Sequence, residues 1–304
     1  TFTTRPHELR FYDIFYQTPV GTRGLALTFG KNRSATVPGL NLAPLDVVGT
    51  SETYYGLVQY PIIRSRDQNL TFDGSFNYLD SKVTTFGALL YNDHLRTLKA
   101  GVNYDFADKH KGSNIIGVHA EQGLPILGAT HNTSSFTTSR FGGRGDFSKV
   151  LVQYARLQQM FWRLSAYFVA NGQYAFNPLL SEEQFGFGGS QLGRGYDPAE
   201  IIGDRGLAGS IELRADFAPS WRLVQTVEPY IFYDAGKVWN VKNVPGTFSE
   251  QSATSAGVGT RFIFTRFLSG NLMISQPLTK PIFAETFVGE GKNPRIQFSV
   301  AASG

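Results

Sequence analysis

From Leu207 to Asp216 the odd positions are Leu207, Gly209, Ile211, Leu213 and Ala215, and the even ones are Ala208, Ser210, Glu212, Arg214 and Asp216. Residues two apart share a face of a strand, so this period of two predicts a strand with one apolar and one ionic face. The same alternation recurs at Leu70 to Asp80, Thr97 to Phe106, Ile115 to Glu121, Trp162 to Asn171, Ala256 to Phe264 and Arg295 to Val300. Read along the whole chain, it predicts thirteen strands. They are Glu8 to Gln17, Thr22 to Asn32, Ser51 to Pro61, Gln68 to Asp80, His94 to Phe106, Ser113 to Gly123, Asp146 to Leu157, Met160 to Gly172, Leu207 to Asp216, Thr226 to Gly236, Ala253 to Phe264, Gly270 to Gln276 and Pro294 to Ala301.

A soluble sandwich alternates too, but segment length and spacing favour lipid on the outside. Runs of about ten residues match a tilted strand crossing a bilayer. Short connections such as PVGT, ADKHKG and QQ take turns with long ones at Lys31 to Gly49, Leu124 to Gly145 and Ala175 to Arg205. Short turns at one end and long loops at the other characterise outer-membrane barrels. The chain has 304 residues, 14% of them aromatic, and a mean hydropathy of -0.16. No run approaches the roughly 18 apolar residues of a membrane helix. In lipid every backbone polar group must be paired within the protein, which leaves a closed barrel. The expected fold is therefore all-β, a transmembrane antiparallel β-barrel spanning residues 1–304, in the bacterial outer membrane. Such barrels usually have an even strand number, and an open edge in lipid is untenable, so further strands are expected before the first one here. The chain begins at Thr1 without a leader, which fits a removed signal peptide or a fragment.

Charge and composition narrow the function classes. There is no Cys, which excludes thiolate metal sites, thiol catalysis and disulfides. The net charge is +4 with basic residues scattered, so no nucleic-acid footprint is expected. The histidines His7, His94, His110, His119 and His131 show no metal or triad spacing. Neither catalysis, a metal nor a cofactor is expected. The RGD at Arg144 to Asp146, the glycines of GFGGSQLGRG and the N-T-S at Asn132 read as loop composition.

One segment breaks the alternation. QLGRGYDPAEIIGDR, Gln191 to Arg205, places Arg194 between two glycines and ahead of Tyr196. Glycines permit a tight turn, and a guanidinium there is free to find one carboxylate. On the strand Thr226 to Gly236, parity puts Glu228, Tyr230, Phe232, Asp234 and Gly236 on the inner face. If the long loop, 173–206, folds back into the lumen, Arg194 and Asp234 are expected to form a bidentate pair that pins its tip to the wall. Gly193, Gly195 and Gly236 would allow close approach, with Tyr196 packing alongside.

These residues carry a family resemblance. LGRGYDP resembles the VRGY/F loop motif of the POTRA-barrel outer-membrane transport and assembly superfamily, and FYDAGKVW, Phe232 to Trp239, resembles its F-x-D-x-G strand motif. FYQTPVGTRG and VQYPIIRSRDQNL look like turns of its two-partner secretion branch, the TpsB transporters of the haemolysin and filamentous-haemagglutinin type. The resemblance implies a barrel of about sixteen strands with N-terminal POTRA modules and a plug helix, of which about thirteen strands lie here. It makes Gln191 to Arg205 part of the sixth extracellular loop. Leu192 and Gly193 stand where the family usually has Val before Arg194, and the chain ends AASG instead of on an aromatic residue.

The implied function is export of one large exoprotein, an adhesin or haemolysin, from periplasm to cell surface without nucleotide hydrolysis. Implied partners are that client, outer-membrane lipid or lipopolysaccharide, and the barrel-assembly machinery. Arg194, Gly195, Tyr196, Phe232, Asp234 and Gly236 would form the loop-motif gate. Lys99, Asp105, Glu121, Arg163, Glu212, Arg214 and Arg261 are the parity candidates for the lumen lining. An insertase of the same superfamily and a passive porin are the alternatives.

Overall fold

The computed structural model describes residues 9–37, 44–131, 137–219, 223–241, 248–282 and 291–302. Thirteen strands form one antiparallel sheet among them, each beside its sequence neighbour: β1 (Leu9–Val20), β2 (Leu25–Thr36), β3 (Val48–Arg64), β4 (Gln68–Thr85), β5 (Ala88–Ala107), β6 (Gly112–Gly123), β7 (Ser148–Gln159), β8 (Leu164–Ala175), β11 (Arg205–Ala215), β12 (Thr226–Trp239), β13 (Glu250–Thr265), β14 (Leu268–Pro277) and β15 (Arg295–Ala302). Two short strands, β9 (Phe185–Phe187) and β10 (Ile201–Gly203), pair with each other inside the β8–β11 connection. Every strand expected from alternation is present in the sheet. Glu8, the predicted first residue of the first strand, lies outside the described residues, as do His7 and Asn132. Among the described residues, β1 and β15 each have a neighbour on one side only.

Two expectations are corrected. The segment between Asp80 and His94 is not a connection: β4 and β5 stay paired through Ser81↔Asp93 up to a tight turn at Phe86 and Gly87. Polar residues there interrupt the apolar alternation while the backbone ladder continues, because a ladder needs no apolar face once it rises above the membrane. β8 begins at Leu164 and not at Met160, because Trp162 takes φ 57° and turns the chain.

The two faces sort as parity predicts. Leu207, Ile211, Leu213, Ile231 and Tyr233 are exposed on the outer face, while Ser210, Glu212, Tyr230, Phe232 and Asp234 are buried on the inner one. Large apolar side chains left 40–59% exposed in a row along β11 suit contact with lipid tails. The protein's own apolar core lies inside, where the long connections rest on the wall. One cluster joins Phe187, Tyr196 and Ile201 of the β8–β11 connection to Ala208, Val238 and Ala253 of the wall, with Ile282. A second joins Leu179 and Leu180 to Leu95, Phe147 and Ala175.

Candidate functional site

The connection from β8 to β11 runs through a 3-10 turn at Ser181–Glu183 into the β9–β10 hairpin, whose tip carries Arg194. The tip is folded by its own backbone: Gly188 N–H donates to Leu192 O (3.2 Å), Tyr196 N–H to Gly193 O (2.8 Å) and Gly189 N–H to Tyr196 O (3.2 Å). Gly193 has φ 76°, and a Cβ there would lie 2.9 Å from the backbone of Gly188, so only glycine fits. Gly195 seats the tip against the wall, since a Cβ on it would come within 2.8 Å of Ser255 and 2.9 Å of Pro277 N.

The structure brings Arg194 and Asp234 together. Arg194 Nη2 lies 2.7 Å from Asp234 Oδ1, and Arg194 Nε donates to Oδ2 at 3.0 Å. The same Oδ2 accepts the backbone N–H groups of Gly193 (3.1 Å) and Arg194 (2.9 Å). The guanidinium stacks 3.5 Å over the Phe232 ring, donates to Ser210 Oγ at 2.7 Å and pairs with Glu212. The Arg194 backbone carbonyl accepts from Ser275 Oγ (2.8 Å) and Gln297 Nε2 (2.9 Å) on the other side. Tyr196 donates to Thr254 O at 3.0 Å, and its ring lies beside Phe187. Gly236 is the floor under Phe187: a Cβ there would sit 2.3 Å from that ring. Arg295 of β15 closes the contact on Asp197 at 2.6 Å.

Glu212, Arg214 and Arg261 belong to the same cluster. Glu212 meets Arg214 (2.7 Å) and Arg261 (3.0 Å) besides Arg194, and Arg261 also meets Glu228 at 2.5 Å. Three guanidiniums therefore face three carboxylates, which keeps a largely desolvated network neutral. Arg214 and Arg261 stack on Tyr167 and Tyr230, both at 4.1 Å. The other lining candidates lie elsewhere. Glu121 is 3.5 Å from Lys149, Lys99 stands opposite Glu121 in register, and Asp105 accepts from Asn69 at 2.8 Å. Arg163 is not on the wall at all. It lies exposed in the β7–β8 turn, over Phe217, because the bend at Trp162 ends the alternation that parity had extended through it.

Sequence reading missed a second buried clamp. Asp204, fully buried, accepts both guanidinium nitrogens of Arg140, with Nη2 at 3.1 Å, and the backbone N–H groups of Leu179 and Val241, both at 2.8 Å. Arg140 also donates to Leu179 O (3.1 Å) and Asn240 Oδ1 (3.2 Å). This joins the β6–β7, β8–β9 and β12–β13 connections at the long-loop end. The only signal was an Asp between Gly203 and Arg205 at a strand start. Lys149 forms a third anchor, donating to Glu183 Oε2 at 2.5 Å and Glu183 O at 3.1 Å. Burial pushes the Glu183 carboxyl above its ordinary value, with Lys149 opposing and Glu121 adding to the shift. The RGD segment is an internal staple, Arg144 Nε donating to Asp146 Oδ1 at 2.9 Å. His119 and His94 pair with Asp73 and Asp80, and no metal-ligand grouping occurs among the described residues.

Comparison with known proteins bears on the family and the fold. The family model for the haemolysin secretion/activation proteins ShlB/FhaC/HecB matches residues 2–262. A search of curated proteins found no significant match. Among solved structures, CdiB from Escherichia coli superposes with TM-score 0.78 at 18% identity, over 97% of this chain and 53% of that one. CdiB from Acinetobacter baumannii gives 0.69 at 17%, over 97% and 50%. BamA from Haemophilus ducreyi lacking POTRA domains 1–3 gives 0.68 at 12%, over 97% and 62%. At such identities the likeness is one of fold, and the chain spans about half the length of the two CdiB chains.

Proposed function

The chain belongs to the haemolysin secretion/activation family ShlB/FhaC/HecB, an outer-membrane barrel family, and from that premise we propose that the whole protein exports a large exoprotein to the cell surface, with the 173–206 loop as its gate. The observation that carries this reading is the docked tip: Arg194 and Asp234, with Gly195, Tyr196, Phe232 and Gly236 around them, hold the loop against the inner face of β11 to β15. A client passing along that face must displace the loop. The charge arrangement makes release asymmetric. When Arg194 leaves, Glu212 keeps Arg214 and Arg261, whereas Asp234 keeps, among the described residues, only Ser255, 3.5 Å away. Breaking a buried pair without replacement costs about 3–5 kcal/mol, and water admitted to the lumen lowers that cost. Movement is therefore expected when the loop tip is hydrated or engaged by the client, whose folding outside the cell supplies direction. Outer-membrane lipid and the assembly machinery are the remaining partners of this reading.

The test is a charge swap followed by analysis of surface and culture-medium proteins. Asp234→Arg alone is expected to abolish secretion of one large exoprotein, and Arg194→Asp added to it to restore part. Normal secretion by both single reversals overturns the gate, and broad loss of outer-membrane barrels in a deletion strain would make the protein an insertase instead.

A further inference from the structure

The two ends of the barrel treat most of their positive charges differently. At the long-loop end Arg140, Arg144, Arg194 and Lys280 each face a carboxylate, while Lys82 and Lys292 are in no ion pair among the described residues. At the short-turn end stand Arg23, Arg64, Arg66, Lys109, Lys111, Arg163 and Arg266, all exposed, and among the described residues none of these seven is in an ion pair. The acidic residues of the same turns are Asp67 and Asp108, and the β11–β12 turn adds Asp216, too few to neutralise them. Asp108 is moreover committed elsewhere. It accepts from Asn114 and from the N–H of Gly112 and meets Arg156 at 2.6 Å, bonds that hold its carboxyl well below the usual carboxylate range.

Unpaired cations spread along a rim call for an anion that also extends along it. The seven come from five of the six short turns among the described residues, β1–β2, β3–β4, β5–β6, β7–β8 and β13–β14, so with two strands per hairpin they recur roughly every 10 Å along the rim and roughly every 20 Å across the β11–β12 turn. A protein partner docked at one place would meet one cluster, whereas a lipid headgroup layer meets them all. Aromatic residues accompany them: Phe161 and Trp162 are 71% and 75% exposed in the β7–β8 turn, Arg163 lies over Phe217, and Arg266 lies 4.4 Å over Phe267. Exposed aromatic rings beside basic side chains are the composition of a membrane-interface anchor. We propose that the short-turn rim is a binding surface for anionic phospholipid headgroups of the leaflet facing the periplasm. The proposal rests on the membrane-barrel reading above and on the rule that short turns of such barrels face the periplasm.

The full-length protein, reconstituted in phosphatidylcholine bilayers, is probed with spin-labelled phosphatidylglycerol and phosphatidylcholine to measure the lipid held at its surface. Phosphatidylglycerol is expected to be enriched about fivefold, the preference one cation beside an anionic surface supplies. About 1 M salt should collapse the enrichment in the unaltered protein. Changing all seven cations to Gln should remove it, and the control Lys280→Gln with Lys292→Gln should leave it intact. If the sevenfold variant does not fold, the sets Arg23/Arg64/Arg66 and Lys109/Lys111/Arg163/Arg266 are tested separately, each expected to lose part. No preference in the unaltered protein, or a preference that survives the substitutions, overturns the proposal. Salt-sensitive binding of poly-glutamate without any lipid preference does so in favour of a protein partner. A barrel that fails to enter vesicles of any composition sinks the membrane reading itself, which separates the two failures.

Discussion

Asp234 and Asp204 are built alike and placed differently. Each carboxylate takes a forked guanidinium and two backbone N–H groups, and each is fully buried. Asp234 belongs to a wall strand and holds the tip of one loop, whose arginine has a second carboxylate in Glu212. Asp204 belongs to the loop's own far end, and Arg140 has no second carboxylate among the described residues. The contrast teaches that identical hydrogen bonding can serve opposite ends. When Arg194 departs, Glu212 keeps two other guanidiniums, which suits a contact that must release. A guanidinium held by a single carboxylate suits a permanent anchor from which the rest of the loop swings.

The largest expected effect tests that difference directly. Asp204→Ala leaves Arg140 buried with only neutral acceptors, and should cost about 3–5 kcal/mol in urea unfolding of the detergent-solubilised barrel. Asp234→Ala, with Glu212 still facing Arg194, should cost only about 2 kcal/mol yet impair secretion more. Equal stability losses would end the distinction between anchor and latch. A smaller effect is expected from Gly236→Ala, whose methyl group meets the Phe187 ring, at about 1–3 kcal/mol. Adding Phe187→Leu should recover part of it if the clash is the cause.

The smallest effect concerns the loop's start. Burial raises the Glu183 carboxyl above its ordinary value, so the docked form binds its proton more tightly than the released form does. Docking is therefore strongest at acid pH and weakens as pH rises from the ordinary carboxylate range through the raised value. Limited proteolysis of the connection should quicken between mildly acidic and mildly alkaline buffer, and Glu183→Gln should flatten that dependence. A rate that moves the opposite way would mean Lys149 outweighs burial.

Legibility followed the length scale of the physics. Strand after strand was readable because a period of two is written residue by residue in Leu207 to Ala215, Leu70 to Asp80 and Arg295 to Val300. The Arg194–Asp234 contact was readable because glycines flank the arginine and parity turned the aspartate inward. Arg163 was misread for the same reason that alternation works: it is local, and one positive φ at Trp162 ended it. β9 and β10, three residues each, are too short to show any period.

By itself the sequence determined the thirteen wall strands, the face each turns to lipid, and the family, because alternation and glycine punctuation act within a few residues. Only the tertiary structure decided which polar groups meet. Arg140 finds Asp204 across 64 residues and Lys149 finds Glu183 across 34, and Gln297 reaches Arg194 O from the last strand. The partner of a buried charge is set by which loops fold over which wall, and no periodicity along the chain encodes that.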